Sequence, residues 1–86
     1  MSLYTSSHNQ QRHNVTGAPF KIGNIVRIDS ATDTTADKKY IGRIGKIVYF
    51  DYTCGCGQLY PTDPMIGILF SNGKTKEFWS EEITKI

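Results

Sequence analysis

The chain has 86 residues, enough for one small domain, and ten Lys/Arg against eight Asp/Glu leave a net charge of only +2, too balanced to mark a nucleic-acid binder on charge alone. Two cysteines do not make a disulfide framework, no apolar run is long enough for a membrane-spanning helix, and no apolar signal segment follows Met1, so the expected location is cytoplasmic. Hydrophobic residues make up 38% of the chain and aromatics 12%, which is good core material for part of the chain rather than all of it.

Met1 to Pro19 is rich in Ser, Thr, Asn, Gln and His and sustains neither a period of 3.6 nor of 2, so residues 1–19 read as a flexible tail. The composition shifts at Phe20, and a single domain is expected over 20–86. Ile25–Asp29 follows a glycine turn with a β-branched run and predicts the first strand. Ser30 to Lys39 is polar and predicts a long exposed loop, with room for a helical turn over its later half. Tyr40 to Phe50 carries the strongest strand signal. Gly42 and Gly45 interrupt it and point to a bulge, a bend or the close approach of another backbone.

Asp51 to Pro64 reads as a loop. Met65–Phe70 has few polar interruptions and predicts a central strand. Asn72-Gly73 between two strand-like runs signals a tight hairpin with a type I′ turn, and Thr75–Trp79 returns as the partner strand. Ser80–Glu82 predicts one tight helical turn and Ile83–Ile86 a last short strand. About five short strands with no crossover helix fit an all-β, SH3-like barrel.

The series Gly23-x-x-Val26-Arg27-Ile28, Gly42-x-x-Gly45-x-Ile47, Tyr60-Pro61, Ile68-x-Phe70 and Phe78-x-x-Glu81-Glu82-Ile83 resembles the small SH3-like barrels of the electron transport accessory type. These include the photosystem I subunit PsaE, the variable chain of ferredoxin–thioredoxin reductase and the C-terminal domain of the nitrile hydratase beta subunit. The resemblance implies a non-enzymatic accessory that docks a protein partner, such as a ferredoxin or a larger redox complex. Gly42-Arg43-Ile44-Gly45-Lys46-Ile47 is also similar to a KOW core, which implies an RNA- or ribosome-associated module as the alternative.

Four groups of side chains are candidates for function. Cys54 and Cys56, one glycine apart, suit two ligands of a metal site or a thiol-redox pair. A closed zinc site needs about four ligands, and His8 and His13 lie at unusual spacing in the tail, so two ordinary thiols in a glycine-rich loop are the plainer reading and no cofactor is expected. Arg27, Lys38, Lys39, Arg43 and Lys46 form a basic set that suits an acidic protein or a phosphate backbone, or else a solvated face. Phe78 and Trp79 are adjacent and so point to opposite faces of a strand. Trp79 outside, beside Tyr52 and Tyr60, would make an aromatic groove. Asp51 and Asp63 read as turn caps rather than an acid–base pair. The expected partner surface is therefore Arg27, Arg43 and Lys46 with Tyr52, Tyr60 and Trp79, and an exposed strand edge could pair two copies.

Overall fold

A computed structural model describes residues 10–32, 36–52 and 59–86. Tail residues 1–9 and the loop that holds Cys54 and Cys56 lie outside the described residues. The strands are β1 (Gln10–Gln11), β2 (Ile25–Ile28), β3 (Ile44–Asp51), β4 (Met65–Phe70), β5 (Thr75–Trp79) and β6 (Ile83–Lys85). One 3₁₀ turn spans Ala36–Tyr40 and another Ser80–Glu82. All pairings are antiparallel, in the order β5-β4-β3-β2-β6, with β1 against the far end of β3. The described chain is all-β, as expected, with one strand more than the sequence shows.

The core follows from alternation. In β2 the exposed residues Ile25 and Arg27 alternate with the buried Val26 and Ile28, the period of a sheet with one solvated face. Ile47, Phe50, Ile66, Ile68, Phe70, Phe78 and Ile83 complete the buried cluster with Ala31 and Tyr40. Each large side chain buried there contributes roughly 1.5–3 kcal/mol. Phe70 lies at its centre, with the Tyr40 ring 4.3 Å away on one side and the Phe78 ring 6.3 Å away edge-on.

In β3 the alternation breaks. Ile47 faces Ile68 and Tyr49 faces Gly67, so Val48 is the extra residue of a bulge. Gly42 and Gly45 pointed to a bulge, a bend or a close approach, and the bulge lies at neither of them. Gly45 shows the expected close approach, to β4, where a Cβ would meet the Leu69 carbonyl oxygen at 2.8 Å. Tyr40 to Gly42, read as strand, belong to the 3₁₀ turn and the bend after it.

The β4–β5 hairpin also departs from the type I′ expectation. The Gly73 amide donates to the Phe70 carbonyl at 2.9 Å, and the Phe70 amide to the Lys74 carbonyl at 2.9 Å. Ser71 and Asn72 are thus the central residues, and Gly73 follows at φ +84°, where glycine carries no Cβ penalty. This is the three-residue loop with a left-handed third position.

Two features of the chain were hidden from the sequence reading. Residues 10–19 are placed against the sheet: Gln10 and Gln11 pair with Asp51 and Phe50, and Val15 and Ala18 pack on the core. Packing therefore begins ahead of Phe20. Glu82 is 3% exposed. Its carboxylate accepts from the Thr32 amide at 2.5 Å, the Thr32 hydroxyl at 2.7 Å and the Trp79 amide at 2.8 Å. Its carbonyl takes the Asp29 and Ser30 amides at 2.8 and 3.2 Å. A buried carboxylate is tolerable when donors surround it, and this one ties the long loop after β2 to the turn before β6.

Candidate functional site

Antiparallel partners share a face, as do residues two apart on a strand. The pairings Ile25–Lys46, Lys46–Leu69 and Arg27–Ile44 therefore place five side chains on one outer face of the sheet. Ile25 is 43% exposed and Ile44 54%, and Arg27 and Lys46 are exposed beside them. Thr84 faces Arg27 across β6. Arg27 Nε donates to Asp29 Oδ1 at 2.9 Å, and the Thr84 hydroxyl donates to the other oxygen of the same carboxylate. The Thr84 hydroxyl and Arg27 hold the Asp29 carboxyl below its usual range. Of the expected cations, the structure thus brings Arg27 and Lys46 onto one surface. Arg43 lies just ahead of β3, its guanidinium carbon 5.8 Å from the Tyr40 ring centre.

The expected aromatics lie elsewhere. Tyr52 and Tyr60 follow the opposite end of β3 and meet edge-on with ring centres 4.7 Å apart. The Tyr52 hydroxyl donates to the Pro61 carbonyl at 2.7 Å, and burial, with Tyr60 alongside, pushes this phenol up. Tyr60 is 68% exposed and Leu59 67%. Trp79 pairs with Met65, which pairs with Asp51, so Trp79 shares the outer face of the sheet without ring contact to Tyr52 or Tyr60. The six expected residues form no single groove. Arg27 and Lys46 lie at one end of the outer face and Trp79 at the other, Arg43 lies ahead of β3, and Tyr52 packs against the core with Tyr60 beside it.

Between Trp79 and the isoleucines the outer face is closed by a polar network that the sequence did not announce. Tyr49 lies over Gly67, where any Cβ would run into its ring, and its hydroxyl donates to Glu77 Oε2 at 2.7 Å. The Arg12 guanidinium carbon lies 5.0 Å from the Tyr49 ring centre, within cation–π range. Burial first, and then the Glu77 carboxylate, push the Tyr49 phenol up. Burial also raises the Glu77 carboxyl. Asp51, expected to be a turn cap, raises it further from alongside, against the opposing effect of the Tyr49 hydroxyl. Among the described residues no three His, Cys, Asp or Glu side chains gather into a metal-binding group, and no helix is long and apolar enough to cross a membrane.

The model of the CarS bacterial SH3 domain family matches residues 10–86. The chain belongs to that family. The match begins at Gln10, the residue that opens β1. It establishes the SH3-like fold expected for the barrel, and with it a fold generally used for protein interaction rather than catalysis. No curated protein and no solved structure gives a match.

Proposed function

We propose that this SH3 domain is a non-catalytic docking module, that its contact surface is the outer face of β2 and the first half of β3, and that its partner is a protein offering an acidic, partly apolar segment. The observation that carries this reading is the exposure of Ile25 and Ile44 at neighbouring register positions, interleaved with Arg27 and Lys46. A lone exposed isoleucine is ordinary, whereas contiguous apolar surface rimmed by charge marks an interaction site. The isoleucines supply area to desolvate, and the cations, with Arg43 at the rim, raise the rate of encounter with an acidic partner. The likeness to electron transport accessory barrels narrows that partner to an acidic redox protein of the ferredoxin type. Tyr52, Tyr60 and Trp79 form a separate, secondary contact.

The test is amide chemical-shift mapping of the chain against a ferredoxin and against a short RNA, each at low and high salt. A protein partner shifts residues 25–27, 44–46 and 84, and Ile44→Asp weakens binding at least about tenfold. Shifts confined to Tyr52, Tyr60 and Trp79 would move the contact surface to the other end of β3. RNA binding with a steep salt dependence, and no protein binding, would replace this reading with the nucleic-acid one.

A further inference from the structure

A second surface, separate from the isoleucine face, has the chemistry of an anion receptor. Lys39, Tyr40, Arg43 and Asn72 line a hollow of about 140 Å³, far more than the roughly 10–15 Å³ a single water requires. Tyr40 is held by the core, 1% exposed, with its ring against Phe70. Its hydroxyl accepts a long hydrogen bond from Asn72 Nδ2 at 3.4 Å, which leaves the phenolic hydrogen to donate. Asn72 is itself oriented, because its Oδ1 takes the Lys74 amide at 3.0 Å. That bond turns the NH₂ group toward the hollow with a second hydrogen to spare. Lys39 Nζ lies 5.7 Å and the Arg43 guanidinium carbon 5.8 Å from the centre of the same ring.

The backbone between the two cations is pinned. The Gly42 amide donates to the Ile28 carbonyl at 2.7 Å and the Arg43 amide to the Tyr40 carbonyl at 2.8 Å. Gly42 sits at φ +87°, a conformation that favours glycine. Lys39 and Arg43 therefore emerge from a fixed bend rather than a free loop. Arg27 is engaged by Asp29, but among the described residues neither Lys39 nor Arg43 has an acidic partner.

We propose that Lys39, Tyr40, Arg43 and Asn72 form a binding site for a phosphate dianion, either the free ion or a small phosphate monoester. Each of the four side chains still has a hydrogen to donate, and arginine's fork suits two phosphate oxygens at once. Two positive charges match a dianion, whereas a carboxylate would leave one unmatched. The site shares Arg43 with the rim of the docking face but uses none of its isoleucines.

The experiment titrates the isotopically labelled chain with inorganic phosphate, phosphoserine, glutamate and a short RNA, following amide shifts. Phosphate is expected to give saturable shifts at residues 39–43 and 72. Arg43→Gln weakens them about tenfold, the loss of one charge-assisted pair. Tyr40→Phe keeps the ring in the core and weakens them a few-fold. Lys21→Gln, an exposed lysine elsewhere, leaves them unchanged, and so does Ile25→Thr, an uncharged change on the docking face. Tighter binding of phosphoserine than of phosphate assigns the ester as the ligand, and the reverse assigns the free ion. The proposal is overturned if phosphate gives no saturable shift in a chain whose spectrum shows it folded. It is equally overturned if glutamate binds as tightly, if Lys21→Gln loses as much as Arg43→Gln, or if RNA is the only ligand and Arg43→Gln does not affect it.

Discussion

The two halves of β3 present the same face of the same sheet to opposite fates. Before Val48, Ile44 is 54% exposed and Lys46 stands in solvent beside it. After Val48, Tyr49 is 6% exposed and Asp51 half-buried. Residue type would suggest the reverse, since isoleucine is the more readily buried side chain. The neighbours across the sheet decide instead. Gly67 leaves room for the Tyr49 ring, Glu77 receives its hydroxyl, and Arg12 from the end of β1 covers it. Opposite Ile44 stands only Arg27, already engaged with Asp29. Where polar groups and rings satisfy one another the surface serves stability. Where apolar and cationic groups are left facing water, it is available to a partner.

The sharpest way to break this contrast is at Gly67. Gly67→Ala sets a methyl group against the Tyr49 ring, and overpacking of this kind costs about 1–3 kcal/mol, read as a fall in thermal midpoint of several degrees or more. A negligible loss would mean that Tyr49 swings aside freely and that the second half is not closed. Next is Tyr49→Phe, which keeps the ring but leaves the half-buried Glu77 carboxylate without its donor, at about 1–2 kcal/mol. The wild-type chain should also lose stability as pH climbs past about 10, the ordinary phenol value. There the unfolded chain has released a proton that folded Tyr49 retains, so alkali favours unfolding. Tyr49→Phe removes that contribution.

A smaller effect, of opposite sign, is expected for Glu77→Gln. Glu77's carboxyl is raised in the fold. From its ordinary value near 4.3 up to the higher folded value, the folded state therefore binds more protons than the unfolded one, and stability declines as pH rises. The amide escapes this penalty and can still accept from Tyr49. The variant should be more stable than wild type at pH 7 and equal to it below about pH 4, as followed by denaturant melts across that range. The smallest effects belong to the first half of the strand. Ile44→Thr and Lys46→Gln should each change stability by no more than about 0.5 kcal/mol. A clear loss in either would show that this surface is structural rather than open.

The sequence carried most of the strand plan because it is written in side chains. β-branched runs, the punctuation of Gly and Asn, and the polar stretch after Asp29 located β2 to β6 and the turn at Ser80–Glu82. β1 was illegible because Gln10 and Gln11 join the sheet through backbone bonds that no side-chain pattern reports. Of the alternatives open at the glycines, Gly45 serves close approach and Gly42 a positive-φ turn, while the bulge at Val48 was illegible because valine there looks like any strand residue. That single extra residue shifts the alternation so that Tyr49 turns outward and Phe50 inward, which is why the Tyr49–Glu77–Asp51 cluster could not be foreseen. Arg27 and Lys46 were grouped by charge, and only the register Ile25–Lys46 and Arg27–Ile44 places them on one face. The hollow at Tyr40 was not legible either, because it needs the hairpin tip at Asn72 to meet a bend more than thirty residues earlier.

The ring of Tyr49 resting on the bare backbone of Gly67 makes those two positions a single heritable unit. A relative that gains a side chain at the position of Gly67 should have a smaller residue at that of Tyr49. With the phenol gone, the carboxyl opposite loses its reason to be there, and it too becomes free to drift. Aligned relatives should therefore change at 49, 67 and 77 together, while the isoleucine face varies to its own rhythm, set by whatever each homologue meets.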